Sequence, residues 1–255
     1  MSKVRKPSVS RWFLICEKMV NFVYTLFDML KLMGLDMKLK IYQIIFMCLY
    51  LPLLILYFSS EVSGIFKKRA INKIVMASLF LICGTIGFVL GEKNVDRIIL
   101  LIAMFFSFLG DVILLWSFKK GGIAFIVGNV FYVIYFLLHF YRNGYSIVLW
   151  PIVYAIIYGF FVYLVKSGYL NLGSMKSFYG YMASVIGHGS FGIVLLTKTN
   201  SPVMRVLCVG LILFMISDFF IAAHNFHDKK DKTILRINSG SYFIGMMLVA
   251  LFFGL

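Results

Sequence analysis

Charged residues are scarce in this chain. Lys, Arg, Asp and Glu together make up 14% of its 255 residues, whereas hydrophobic residues make up 62% and phenylalanine alone occurs 27 times. This composition excludes a soluble globular domain, because too little polar surface remains to keep the folded chain in solution. The sequence therefore predicts a polytopic membrane protein.

The chain also lacks the short motifs of several enzyme classes. No Gly-x-Ser-x-Gly, His-Glu-x-x-His or Walker loop sequence occurs, so a serine-elbow hydrolase, a zincin and a P-loop hydrolase are not indicated. The four cysteines are isolated, without a Cys-x-x-Cys pair, and give no sign of a disulfide framework. The net charge of +15 is spread over several loops, so we expect membrane lipids rather than nucleic acid as its partner.

About eight apolar runs come close to the roughly 20 residues that cross a bilayer. Because their connections are short, neighbouring spans are expected to be antiparallel. Every backbone group in lipid must be bonded within its own segment, which favours an all-α fold, a helical bundle in one transmembrane domain, residues 41–255. The predicted spans are residues 41–59, 72–91, 97–117, 121–141, 146–166, 178–197, 203–224 and 238–255.

Residues 1–40 form a separate, basic segment. Apolar residues recur in it at helical spacing between charged ones, which is typical of an amphipathic helix on the membrane surface, with a disordered basic tail as the alternative. Lys and Arg are otherwise divided almost evenly between the two sets of loops, so this segment decides the orientation, with a cytoplasmic N-terminus. We expect the endoplasmic reticulum membrane, or the inner membrane if the source is bacterial.

Two aspartates, Asp111 and Asp218, lie inside long apolar runs. A carboxylate in hydrocarbon costs several kcal/mol unless it is compensated, so such residues point to a functional site. Each is expected about six residues before the end of its span, roughly 9 Å below the same membrane face. Either acid alone could instead cap a broken helix or form a structural pair with Lys73, but the matched depth favours a shared site.

Three further polar residues are expected near that face. Lys73 opens the second predicted span, while Asn129 and Tyr242 lie roughly 12 Å and 6 Å deep in the fourth and eighth. Asn129 could instead bond a neighbouring helix, and Tyr242 could belong to the interfacial aromatic belt. His188, between two glycines in the sixth span, is interpreted as a packed histidine with satisfied ring nitrogens rather than as a ligand. These positions predict a polar pocket that opens to one membrane face.

Two carboxyl groups in a desolvated pocket can divide acid and base chemistry between them. Burial and a neighbouring negative charge favour the protonated form of one carboxyl, while the other remains a base. Such a pair can protonate an acid-labile ether and guide water to the resulting cation, as glycosidases do through an oxocarbenium-like transition state. This chemistry needs neither a nucleophile nor a metal.

Four stretches of the sequence resemble the lysoplasmalogenase (YhhN-like) family of integral membrane proteins: FSFLGDVILLW, GGIAFIVGNVFYVIYFLLHFY, ISDFFIAAHNF and NSGSYFIGMMLVALF. The resemblance extends over most of residues 41–255. It implies an eight-span bundle that hydrolyses the vinyl ether bond of lysoplasmalogens, a class of lysophospholipid, to a fatty aldehyde and glycerophosphoethanolamine or glycerophosphocholine. By position it implies Asp111 and Asp218 as the catalytic acids, with Lys73, Asn129 and Tyr242 as substrate-binding partners and no cofactor.

The residues leave other classes open. A zinc-dependent membrane lipid hydrolase of the ceramidase type would use His188, His224 and Asp218 as metal ligands. A proton- or cation-coupled carrier would use the two acids as a relay, and discontinuous helices in repeated halves would favour it. A non-catalytic lipid-binding scaffold and a homodimer are also compatible with the sequence.

Overall fold

Every regular element in the described part of the chain is an α-helix. The computed structural model describes residues 40–63, 66–173, 175–227 and 232–255. Within these ranges there are eight helices and no strand, and all eight are long and apolar enough to cross a membrane. The predicted all-α, eight-span fold is thereby confirmed. The helices, labelled α1 to α8 in chain order, are Ile41–Ser63, Phe66–Leu90, Val95–Leu114, Phe118–Arg142, Leu149–Lys166, Phe178–Leu196, Pro202–Phe226 and Lys232–Phe252.

The basic N-terminal segment predicted over residues 1–40 lies outside the described residues except for Lys40. Its amphipathic character and its part in orienting the chain stay predictions.

Several helix ends differ from the predicted spans. α2 begins at Phe66 and α8 at Lys232, each six residues before the predicted starts at 72 and 238. Hydropathy detects only the part of a helix that lies in hydrocarbon, whereas both helices begin in basic turns that suit the headgroup region. The third span ends at Leu114 rather than at 117, because the Ser117 side chain accepts a hydrogen bond from the Lys120 amide and caps α4 instead.

The contacts between helices define a ring of six. α2 packs against α3, α3 against α4, α4 against α6, α6 against α7, α7 against α8, and α8 against α2. α1 lies outside this ring, against α2 and α8, and α5 lies outside it against α6. Side chains that point inward from the six ring helices therefore share one interior.

Polar side chains fasten α1 to α8. The amide of Gln43, which is fully buried, donates a 2.8 Å hydrogen bond to the carbonyl of Leu251. The hydroxyl of Tyr50 donates a 3.0 Å hydrogen bond to the carbonyl of Phe243. Such bonds between helices are a usual way of satisfying polar side chains within a membrane.

α7 and α8 approach each other closely at Gly210 and Gly245. A Cβ atom on Gly210 would lie 2.8 Å from the Gly245 carbonyl oxygen, and one on Gly245 would lie 2.6 Å from the Gly210 carbonyl oxygen. Small residues allow helix backbones to meet in this way in membranes. The contact joins the helix that carries Asp218 to the helix that carries Tyr242.

Candidate functional site

Asp111 is the centre of a buried polar cluster. It is 1% exposed and lies in the last turn of α3, which ends at Leu114. The ammonium of Lys73 on α2 lies 3.1 Å from Asp111 Oδ1, and the hydroxyl of Tyr242 on α8 donates a 2.6 Å hydrogen bond to Asp111 Oδ2. Three helices of the ring therefore meet at this carboxyl group, and each of its oxygens has a partner.

A cleft of about 60 Å³ opens beside this cluster, and Arg69, Lys73, Asn238 and Tyr242 are among its lining residues. Arg69 precedes Lys73 by four residues, and Asn238 precedes Tyr242 by four, so each pair lies on one helix face, one turn apart. The cleft thus has an inner level, Lys73 and Tyr242 at Asp111, and an outer level, Arg69 and Asn238. The outer level is about 6 Å nearer the start of both helices.

Asp218 on α7 is also buried, at 6% exposure. The hydroxyl of Tyr181 on α6 donates a 2.9 Å hydrogen bond to Asp218 Oδ1. Asp218 Oδ2 is buried and has no hydrogen-bond partner among the described residues. The two acids are therefore held by different tyrosines, Asp111 by Tyr242 and Asp218 by Tyr181.

Phe125 on α4 lies between the two pairs of acid and tyrosine. Its ring packs edge-on against Tyr181, with 6.4 Å between centroids, and edge-on against Tyr242, with 6.1 Å between centroids. A Cβ on Gly110, the residue before Asp111, would lie 2.6 Å from the Phe125 ring. The glycine of the Leu-Gly-Asp sequence therefore makes room for the ring that separates the two acids.

A second, apolar cavity of about 30 Å³ lies on the other side of the Phe125 ring, which we call the partition. Leu114, Phe125 and Ile221 line both the cavity and the cleft. The remaining lining of the cavity is Phe118, Phe178 and Tyr181. Asp111 lines the cleft, whereas Asp218 lines neither space and only its partner Tyr181 lines the second cavity. The predicted single pocket is therefore divided into a polar and an apolar part.

The sequence profile of the YhhN family matches residues 42–253, which is nearly the whole described region and includes every residue of this site. The chain belongs to the YhhN family. This is the family of lysoplasmalogenases. Searches of curated proteins and of solved structures find no match.

In this YhhN-family chain the two acids lie at the same end of the bundle, but not at equal distances from their helix ends. Asp111 lies three residues before Leu114, and Asp218 eight residues before Phe226. The predicted six residues for both was therefore wrong, since α3 ends earlier and α7 ends later than hydropathy indicates. The two acids are connected through their tyrosine partners, since Phe125 packs against both Tyr242 and Tyr181.

Asn129 lies apart from both cavities. Its amide donates a 3.0 Å hydrogen bond to the Ser184 hydroxyl on α6, and Ser184 in turn donates to the Tyr181 carbonyl. This bond between helices was the alternative reading of Asn129 from sequence. A contact between Asn129 and substrate stays a prediction.

His188 is fully buried on α6, where its ring packs against Tyr132 and Phe214 with 5.4 Å and 5.1 Å between centroids. Backbone groups of Ser184 and Leu211 lie beside the ring, but neither ring nitrogen makes a hydrogen bond of good geometry within the described region. The ring is packed as interpreted from the sequence, but the expectation that its nitrogens are satisfied is not met by a hydrogen bond within the described region.

The alternatives in the sequence find no support in this site. Among the described residues no three His, Cys, Asp or Glu side chains are grouped to hold a metal ion, so His188, His224 and Asp218 do not form the ligand set of a zinc hydrolase. Each of the eight described helices is continuous, so the discontinuous helices that would favour a carrier are not seen there.

Sequence reasoning missed three residues that build the site: Arg69, Phe125 and Tyr181. Arg69 had a detectable signal, since it stands one helical turn before Lys73 in a basic stretch, but the predicted span began after it. Phe125 and Tyr181 had none, because 27 phenylalanines and 15 tyrosines are spread along the chain. Aromatic residues at helical spacing do not reveal which ring faces a carboxyl group.

Proposed function

We propose that this protein is a membrane lysoplasmalogenase. It would hydrolyse the vinyl ether bond of lysoplasmenylethanolamine or lysoplasmenylcholine to a fatty aldehyde and the corresponding glycerophosphodiester. The observation that carries the proposal is the pair of buried carboxyl groups, Asp111 and Asp218, each bonded to a tyrosine beside a cleft with basic side chains. Membership of the YhhN family supports it.

The chemistry of the two linings would orient a lysolipid, although cavities of about 60 and 30 Å³ are water-sized and must widen to admit it. The phosphate would bind at the outer level of the cleft, where Arg69 supplies a guanidinium that pairs well with phosphate oxygens. Lys73 has three donors and one bond to Asp111, so its ammonium can also contact the phosphate. The alkenyl chain would pass Phe125 toward the apolar cavity, which places the bond between chain and glycerol near both acids.

The reaction needs one proton donor and one base. A carboxyl group protonates the vinyl ether, an oxocarbenium ion forms, and the second carboxylate activates the water that attacks this ion. The hemiacetal then breaks down to aldehyde and alcohol. Buried dipoles and charges stabilise the cation more strongly than water would, because the surroundings have a low dielectric constant and are already oriented.

The proposed substrate indicates the membrane in which the enzyme works, and the charge distribution indicates its orientation there. A lipid hydrolase with eight spans belongs in a membrane that contains its substrate, and we propose the endoplasmic reticulum, or the inner membrane in a bacterium. The cleft opens at the end of the bundle where the odd-numbered helices end. The basic N-terminal segment would place this end opposite to the cytoplasm.

The test compares two lipids on one purified protein. Lysoplasmalogen and its saturated ether analogue are supplied in lipid nanodiscs, and aldehyde release is measured. We expect release only from the unsaturated lipid, because only its double bond can take up the proton that forms the cation. Release from neither lipid by well-folded protein would refute the proposal.

Two substitutions and a matched control locate the activity. Asp111→Asn and Asp218→Asn should each lower aldehyde release at least a hundredfold, a typical contribution of general acid-base catalysis. Asp96→Asn is the control, since Asp96 lies at the opposite end of α3 and pairs with Arg142. Full activity in both site variants would show that the acids have no catalytic role.

A further inference from the structure

The two carboxyl groups differ in how they are bonded. Both oxygens of Asp111 have partners, an ammonium at 3.1 Å and a phenol at 2.6 Å. Asp218 has one partner, the Tyr181 hydroxyl at 2.9 Å from Oδ1, and its buried Oδ2 has none in the described part of the chain. One acid therefore has a complete set of contacts for a charge, and the other does not.

An ionised carboxylate only accepts hydrogen bonds, and burying it without sufficient partners costs more than burying the neutral acid. The surroundings of Asp111 can stabilise its ionised form, because Lys73 supplies a compensating positive charge. Asp218 accepts a hydrogen bond from Tyr181 on α6, and no cation forms an ion pair with it among the described residues. Lys73 on α2 is in direct contact with Asp111 on α3 instead, which leaves the neutral form as the favoured state of Asp218.

We propose that Asp218 is the proton donor of the site, with its proton on Oδ2, and that Asp111 is the base. The inference rests on the proposed function for its chemistry, but the protonation states follow from the contacts alone. Tyr181 is a positioning residue, because its hydrogen bond to Oδ1 directs the proton to the other oxygen. Oδ2 is buried and has no hydrogen-bond partner among the described residues, so a substrate would meet it once the surrounding side chains move aside.

The reaction then balances with water as the only co-reactant. Asp218 Oδ2 gives its proton to the alkenyl carbon remote from the ether oxygen, the double-bond electrons form the new C–H bond, and an oxygen lone pair completes the oxocarbenium ion. Water adds to this ion and loses a proton to Asp111. The hemiacetal hydroxyl returns a proton to Asp218, Asp111 protonates the glycerol oxygen, and the bond between carbon and that oxygen breaks. Both side chains regain their starting states.

The test observes the carboxyl groups without substrate. Infrared difference spectra between the unsubstituted protein and each variant, recorded at neutral pH, report the C=O stretching band of a neutral carboxyl. We expect Asp218→Asn to abolish this band, and Asp111→Asn and the control Asp96→Asn to retain it. Tyr181→Phe should shift its frequency, which a purely structural change elsewhere would not do.

Loss of the band in Asp111→Asn alone, or its absence from the unsubstituted protein, would overturn the inference. If Asp218→Asn does not fold, Asp218→Glu replaces it, and a shifted rather than missing band gives the same assignment. Aldehyde release is scored separately. A neutral Asp218 without hydrolysis of any lysoplasmalogen would refute the proposed function alone, whereas hydrolysis with a neutral Asp111 would refute this inference alone.

Discussion

Tyr242 donates a 2.6 Å hydrogen bond to Asp111, although 131 residues separate them in the sequence. The bond joins the last turn of α3 to the middle of α8. Lys73 reaches the other oxygen of the same carboxyl from α2. Hydropathy identifies Asp111 only as a charge within an apolar run, whereas the structure shows that three helices meet at its carboxyl group.

We expect Tyr242→Phe to weaken both folding and catalysis. The substitution removes a hydrogen bond to a charged group, worth about 1.5–3 kcal/mol, and leaves Asp111 Oδ2 without its donor. The rate of aldehyde release should fall about tenfold or more, and the midpoint of thermal unfolding in detergent should fall too. Tyr50→Phe is the matched control, since it removes a buried hydrogen bond between α1 and α8 and should lower only the midpoint.

We expect Lys73→Met to destabilise the protein more than Lys73→Met combined with Asp111→Asn. Removing one member of a buried ion pair costs about 3–5 kcal/mol, because the remaining charge is left uncompensated. The double substitution removes both charges and should recover part of this loss in unfolding experiments. Equal stability of the single and double variants would mean that the pair is not ionised.

We expect Arg69→Gln to raise KM about tenfold and to leave kcat nearly unchanged, because a phosphate contact outside the reacting bond contributes equally to ground-state and transition-state binding. Hydrolysis of an alkenyl glycerol without phosphate should not change. Lys67→Gln, an exposed residue on the same helix outside the cleft lining, is the control. A fall in kcat with both substrates would assign Arg69 a structural role instead.

We expect Gly110→Ala to displace the Phe125 ring and to lower the midpoint of thermal unfolding. The added methyl group would lie 2.6 Å from the ring, and overpacking of this kind costs about 1–3 kcal/mol. Gly159→Ala in α5 has open space around its Cβ and should be neutral or slightly stabilising, since alanine is the better helix former. Activity and unfolding midpoint measured together would separate a displaced ring from general instability.

Elementary physical chemistry predicted much of this molecule from its sequence. Apolar runs predicted all eight helices, and the cost of a charge in hydrocarbon singled out Asp111 and Asp218. Lys73 and Tyr242 followed from their positions at the same end of the bundle, and both contact Asp111.

The remaining site residues depend on how the helices pack. Hydropathy does not record the rotation of a helix about its axis, so it could not show that Tyr181 faces Asp218 while Asn129 faces Ser184. It also placed the start of α2 too late to include Arg69. The rotation of each helix is determined by its packing against neighbouring helices. That packing depends on side chains that are far apart in the sequence.

The glycine contact between α7 and α8 limits how a lipid can enter. The backbones of Gly210 and Gly245 are in close contact. Sliding α7 along α8, or separating the two helices, would lose this packing. Asp218 and Tyr242 thus belong to one closely packed pair of helices, which would hold the proposed proton donor in place during a reaction. α3 and α4 are packed just as closely, since a Cβ on Gly128 would lie 2.9 Å from the Ala103 carbonyl oxygen. An alkenyl tail would therefore enter beside α2, which has looser contacts with α3 and α8.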